Sequence, residues 1–343
     1  MRHLLNTLYI LTEDVYLSLE NENIVVNKDN VVLKRFPLRM FEQILYFGYK
    51  GASPALMGEC AKCNISLCFY TPYGRFLARV TGKHYGNVLL RKEQYRISDD
   101  EVKSCLMARN FIVGKIYNAR SVLERAKRDH PLSVDVAALN SASHEMLEIA
   151  RVTKNVENLD TLRGLEGEAA SIYFANFNGL ILHGKDFFNF TTRVKRPPTD
   201  PVNALLSFAY TILANDCAAA LEGVGLDPYV GFLHRDRPGR ISLALDLMEE
   251  LRSAFADRFV LTLINNRVVN KKSFDIQENG AVLLKDEARR SFLNAWQERK
   301  KETITHPFLG EKIPWGLVPF VQAQLLTRVL RGDLEEYPCF MWK

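Results

Sequence analysis

A change of hydrophobic period divides this chain. Before about residue 98, apolar and polar residues alternate, as in VYLSLE and NIVVN, with the polar NEN between them as a turn. Alternation puts one row of side chains on one face of a strand. RFPLRMFEQILYFG, ISLCFY and RFLARV are further strand-like runs, TPYGR reads as a turn joining two of them, and one short helix is expected around PALMGECAKC. From Ser98 onward the spacing is helical. SDDEVKSCLMARNFIVGKIYNARSVLERAKR has an acidic start behind Ser98, a candidate N-cap, and a basic end that suits the negative pole of a helix. Helices are further predicted over 140–154, 158–178, 200–222, 242–256, 285–303 and 316–331, with RPPTDPVN and HRDRPGR as extended connections. The expectation is a two-domain α+β protein: a small N-terminal β-sheet domain over 1–97 and a larger all-α C-terminal domain over 98–343. A length of 343 residues suits two cores better than one.

With 47% hydrophobic residues there is ample material for these cores without disulfides or structural metal. The net charge of +5 permits nucleic-acid binding without requiring it. Basic residues cluster at Arg91, Lys92 and Arg96; at Arg193, Lys195 and Arg196; at Arg235, Arg237 and Arg240; and along 289–301. Any one cluster reads equally as a solvated face, whereas several around acidic residues are what a phosphate-backbone binder needs. Six scattered cysteines suggest a reducing compartment. Cys60 and Cys63 form a CxxC, but structural zinc needs four ligands and no second pair follows, so core thiols are the expectation. MRHLLNTLYILTED has no small-residue cleavage site and no run approaches the ~20 uninterrupted apolar residues of a membrane helix, so a cytoplasmic protein without membrane contact is expected. There is no P-loop, no GxGxxG in a βαβ unit and no GxSxG. ATP hydrolysis, dinucleotide redox chemistry and serine hydrolysis are therefore unsupported.

Two segments carry candidate chemistry. In HRDRPGRISLALDLMEELR, Leu243, Leu247, Leu251 and Phe255 form a buried stripe, and Asp246, Glu249 and Glu250 fall together on another side. His234 precedes this helix, and the Pro/Gly turn between them lets it fold back onto the acidic side. Carboxylates plus one imidazole suit Mg²⁺ or Mn²⁺ better than Zn²⁺. The same residues also read as a solvated acidic face beside a loop histidine. In TLRGLEGEAASIYFANF, Gly164 and Gly167 sit inside a predicted helix, where each costs about 1 kcal/mol relative to Ala. Such glycines imply a close neighbour beside Glu166: another helix, a metal site or a DNA strand. Glu166 alone also reads as a surface carboxylate.

RGLEGEAASIYF, FLHRDRPGRISLALDLMEELR and LINNRVV resemble the core motifs of the CRISPR-associated spacer-acquisition endonuclease/integrase family. GNVLLRKEQYR, HPFLGEKIPWGL and RGDLEEYPCFMWK resemble its type I-C-like branch, and the likeness runs from the first strands to the last residues. The resemblance implies a metal-dependent DNA endonuclease and integrase that captures foreign DNA and joins it to a CRISPR array by attack of a 3′-hydroxyl on a repeat phosphodiester. It implies Glu166, His234 and Glu249 as catalytic metal ligands for Mg²⁺ or Mn²⁺, with Asp246 as a carboxylate that supports a ligand from behind or is auxiliary to the ion; Glu249 stands where many members have Asp. Arg163, Lys195, Arg196, Arg235, Arg237 and Arg240 are the candidate phosphate contacts. The implied partners are double-stranded DNA, a second copy of the chain paired through the β domain, a small ferredoxin-like adaptation protein and an end-trimming nuclease. A structure-selective DNA repair nuclease and a non-catalytic DNA-binding scaffold are the alternatives.

Overall fold

The computed structural model describes residues 7–72, 76–82, 88–194 and 196–342. Contacts divide the chain into two compact units, Met1–Tyr85 with Lys285–Glu302, and Gly86–Leu284 with Thr303–Lys343.

The first unit carries the alternating segments. A four-stranded sheet has the order β1 (Thr7–Ile10), β5 (Gln43–Phe47), β6 (Ser66–Tyr70), β7 (Phe76–Val80), with only the last pair antiparallel. The antiparallel sheet β2 (Tyr16–Glu20), β3 (Asn23–Lys28), β4 (Val31–Pro37) pairs Leu17 with Val26 and Leu19 with Ile24. Asn21 and Glu22 of the polar turn take positive φ, as a two-residue hairpin turn demands. The long run RFPLRMFEQILYFG is split at Pro37 by a short 3₁₀ turn over Leu38–Met40. The expected helix is α1 (Pro54–Lys62), capped by Ser53 Oγ accepting from Leu56 N, and it makes the crossover that parallel β5 and β6 require. Leu17, Ile24, Ile44, Leu56, Cys60 and Leu67 lie in one buried cluster. Burial pushes the Cys60 thiol up to about 12, as in a core thiol. The centre of the TPYGR turn lies outside the described residues.

The second unit is mainly helical: α2 (Val88–Asp99), α3 (Glu101–Asp129), α4 (Val136–Thr153), α5 (Leu159–Phe177), α6 (Pro201–Gly223), α7 (Ser242–Glu249), α8 (Arg258–Asn265) and α10 (Val318–Leu330). The architecture is α+β in the predicted order, with three departures. The division falls at Tyr85/Gly86, not at residue 98, because α2 belongs to the helical unit. Its buried positions are Leu90 and Gln94, so its inner stripe is partly polar and the period is faint. Second, the unit is not all-α: β8 (Phe274–Ile276) pairs β9 (Val282–Leu284), and β10 (Thr303–Thr305) pairs β11 (Lys312–Pro314). Third, α9 (Asp286–Lys301), expected in the helical domain, belongs to the first unit, where Phe292 and Trp296 are fully buried.

Boundaries also shift for physical reasons. Asp100, not Ser98, caps α3, its carboxylate accepting from Val102 N and Lys103 N. The helix expected over 242–256 stops at Glu249, and a π-helical turn over Arg252–Asp257 leads into α8. The apolar α6 is long enough to cross a membrane, yet 83% of its most apolar stretch is buried inside the protein. Composition alone cannot separate a core helix from a spanning one.

Candidate active site

Gln94 on α2 sets up the approach to His234. Its Nε2 donates to Asp227 O and Val230 O, both at 2.8 Å, and its Oε1 accepts from Asp227 N at 3.0 Å. The next residues run directly onto Asp246 of α7. Asp246 Oδ2 accepts from Phe232 N at 2.6 Å and Leu233 N at 3.0 Å; Oδ1 accepts from His234 N at 3.1 Å and lies 2.5 Å from His234 Nδ1. Gly231 makes this possible, since a Cβ there would stand 2.9 Å from Asp246 Oδ2 and from the Ser242 side chain. A carboxylate only accepts, so His234 Nδ1 carries the proton and Nε2 keeps a lone pair for a ligand. Four bonds occupy the oxygens of Asp246. It orients His234 from behind, the supporting one of the two roles, supporting or auxiliary carboxylate, expected for it.

Glu166 of α5 and Glu249 of α7, far apart in sequence, meet on one ammonium. Lys115 Nζ of α3 contacts Glu166 Oε1 and lies 2.7 Å from Glu249 Oε2. Glu249 also receives Arg252 NH1 on both oxygens, at 2.7 and 3.0 Å. Arg252 is held from behind: its guanidinium lies 4.2 Å from the Tyr210 ring centre, and Tyr210 OH donates to Asp257 Oδ1 at 2.5 Å. Burial opposes the charge on Glu249, but the Arg252 guanidinium and the Lys115 ammonium outweigh it and hold the carboxyl well below its ordinary range. Burial pushes Asp257 the other way, up to about 6.

The expected acidic face is not solvated. Asp246, Glu249 and Glu250 are all buried, and each serves a different neighbour. Glu250 turns to the C-terminal segment, accepting from Tyr337 OH at 2.5 Å, Gln322 Nε2 at 3.0 Å and Phe340 N at 2.7 Å. Asn118, one turn beyond Lys115, donates to Glu250 O and Phe340 O and accepts from Trp342 N. The end of the chain thus braces α3 against α7, the helices that carry Lys115 and Glu249.

The basic candidates separate. Arg163 donates to Leu233 O at 2.8 Å and pairs with Asp160, so it supports the His234 loop. Arg235 also reaches Asp160, at 3.3 Å, but stays exposed. Arg196 and Arg237 are exposed and Arg240 is half-buried; Lys195 lies outside the described residues. Gly164 and Gly167 do not press against another helix: apart from their own helix, no atom lies within 4 Å of where a Cβ would stand.

Lys115, Asn118 and Arg252 were not foreseen. The signal was present on α3, where Lys115 and Asn118 interrupt the stripe Ala108, Phe111, Ile112, Ala119, Val122 at helical spacing. Arg252 sits in the π-helical turn, where helical spacing stops being a guide.

As to a metal, two carboxylates already gather on one positive charge, and His234 presents Nε2 through its bond to Asp246. Such an oxygen-rich set with one imidazole fits a hard divalent ion. Among the described residues, no three His, Cys, Asp or Glu side chains close around a common point as they stand. The shared point belongs to the Lys115 ammonium.

Comparison with known proteins matches residues 8–298 to the family described as CRISPR associated protein Cas1. The chain is 47% identical over 343 residues to a CRISPR-associated endonuclease Cas1 of Chlorobaculum tepidum, covering 100% of both chains. Its fold resembles a casposase bound to its integration product, with a TM-score of 0.81 and 22% identity over 96% of this chain and 92% of that one. It also resembles a Cas6-RT-Cas1–Cas2 complex, with a TM-score of 0.79 and 23% identity over 98% of this chain and 36% of that one. A match this complete in length and identity has one reading: the chain belongs to the Cas1 family of CRISPR-associated endonucleases.

Proposed function

We propose that this protein is a metal-dependent DNA endonuclease and integrase that joins captured DNA fragments to a CRISPR array as new spacers. One observation carries the reading: Glu166 and Glu249 converge on the largely enclosed Lys115 ammonium, and the same short helix that carries Glu249 carries the buried aspartate that holds His234. Glu166, Glu249 and His234 Nε2 are the proposed ligands of Mg²⁺ or Mn²⁺. When bound, such an ion polarises a phosphodiester and stabilises charge on its oxygens. The residues of the chain do the rest. Asp246 keeps the proton on Nδ1, so the imidazole offers a lone pair and not an N–H. Arg252, stacked on Tyr210, fixes the direction of Glu249.

The open space beside Gly164 and Gly167 supports the approach of a DNA backbone to Glu166. Exposed Arg196, Arg235 and Arg237 and half-buried Arg240 are the proposed phosphate contacts; Lys195 is proposed from sequence alone. Water as the attacking group gives nicking, and a DNA 3′-hydroxyl gives integration. Both are in-line displacements at phosphorus, so one site serves both. Family membership supports a dimer working with a small Cas2-type partner and an end-trimming nuclease. Six scattered cysteines, with no disulfide among the described residues, support a reducing, cytoplasmic setting.

The test is integration of a short duplex into supercoiled repeat DNA with Mn²⁺, comparing wild type with Glu166→Ala and His234→Ala. Loss of product in both variants is expected. Equal product overturns the assignment of these residues, no product from wild type favours a scaffold, and cutting of branched DNA without preference for the repeat junction favours a repair nuclease.

A further inference from the structure

Two cations serve Glu249, and they are built differently. Arg252 is immobilised: its guanidinium touches both carboxylate oxygens of Glu249 and sits 4.2 Å over the ring centre of Tyr210, which is itself tied to Asp257. Lys115 has no such backing among the described residues. It is a compact charge on a flexible stem, its side chain only 13% exposed, and its ion-pair partners are Glu166 and Glu249. Those two carboxylates are the proposed metal ligands. A divalent ion placed between them would stand against the ammonium, and two like charges at contact distance in a buried setting repel strongly.

We infer that Lys115 is an exchangeable counter-ion of the metal site, holding Glu166 and Glu249 together until a divalent cation displaces it. The inference rests on the metal-site reading above. An ammonium in this position keeps buried Glu249 and half-buried Glu166 from repelling each other, so the ligands stay gathered without metal. It also competes with the metal, so the site binds its ion more weakly than its donors alone would allow. Displacement would break the two ion pairs with Glu166 and Glu249 and free the Lys115 side chain to meet a DNA phosphate. Arg252 stays on Glu249 throughout, because stacking and the π-helical turn fix it.

The sign of the effect separates this role from plain structural support. Removing a structural ion pair weakens everything it holds. Removing a competitor strengthens metal binding. The experiment is Mn²⁺ titration of the full chain without DNA, read by the loss of the free-ion signal in electron paramagnetic resonance, for wild type, Lys115→Met, Lys115→Gln and Glu166→Gln. Both Lys115 variants are expected to bind Mn²⁺ about tenfold more tightly than wild type, a modest result for removing one close charge pair. Their melting temperatures should be lower than wild type without metal and should rise more steeply with Mn²⁺, since a ligand that binds only the folded state stabilises it. Glu166→Gln should bind about tenfold more weakly. Unchanged or weaker Mn²⁺ binding in a folded Lys115 variant, with Glu166→Gln weakened, overturns the exchange. Wild-type binding by Glu166→Gln overturns the metal site itself.

Discussion

Asp246→Asn tests how the histidine is held. The substitution keeps shape and removes charge. Asp246 accepts four hydrogen bonds, two on each oxygen, from Phe232 N, Leu233 N, His234 N and His234 Nδ1. An amide has only one acceptor oxygen, so in either orientation its NH₂ faces two groups that were donating. If it faces Phe232 and Leu233, two buried N–H groups lose their acceptor. At about 1–3 kcal/mol each, folding should weaken by about 4 kcal/mol. If it faces His234, the imidazole relieves the clash by moving its proton to Nε2, the nitrogen a metal needs. Either way Mn²⁺ affinity and integration rate should fall about 10–100-fold, the usual cost of losing a carboxylate behind a ligating histidine. Mn²⁺ titration, integration kinetics and urea unfolding of the four proteins in an Asp246→Asn/His234→Ala cycle give the answer. With His234 absent, Asp246→Asn should change Mn²⁺ affinity less than about threefold, because the effect travels through the imidazole. A full additive loss in the double variant, or wild-type affinity in the single one, would refute the reasoning.

Three further outcomes follow from the same geometry. Arg252→Lys keeps the charge but cannot stack on Tyr210 and grip Glu249 together; urea unfolding should show a loss of about 2 kcal/mol, and an unchanged midpoint would count against the clamp. Gly231→Ala drives a Cβ to 2.9 Å from Asp246 Oδ2 and Ser242, so it should cost about 1–3 kcal/mol and weaken Mn²⁺ binding; full retention of both would show that the loop gives way freely. Burial raises Glu250 from 4.5 to about 7 in the folded state, so its contribution to stability is present below pH 4.5 and lost as pH rises through 7. Glu250→Gln should flatten that part of the stability–pH curve, measured by urea unfolding at several pH values, and an unaltered slope would assign the dependence elsewhere.

Much of this protein was legible before any coordinates. A strand shows itself in side chains two apart and a helix in side chains three or four apart, and both signals are local. The two architectural halves, most helices and the hairpin at Asn21–Glu22 follow from them. Motif resemblance picked out Glu166, His234 and Glu249 as the residues to watch. Tertiary structure decided what those residues touch. Three neighbouring acids on one short helix look alike in sequence, yet one holds a histidine, one meets two cations and one anchors the end of the chain. Lys115, which joins the two key carboxylates, comes from a helix that carries neither of them. No local period records such a meeting. Charge pairing between distant segments depends on how whole helices pack, and that is settled only when the chain has folded.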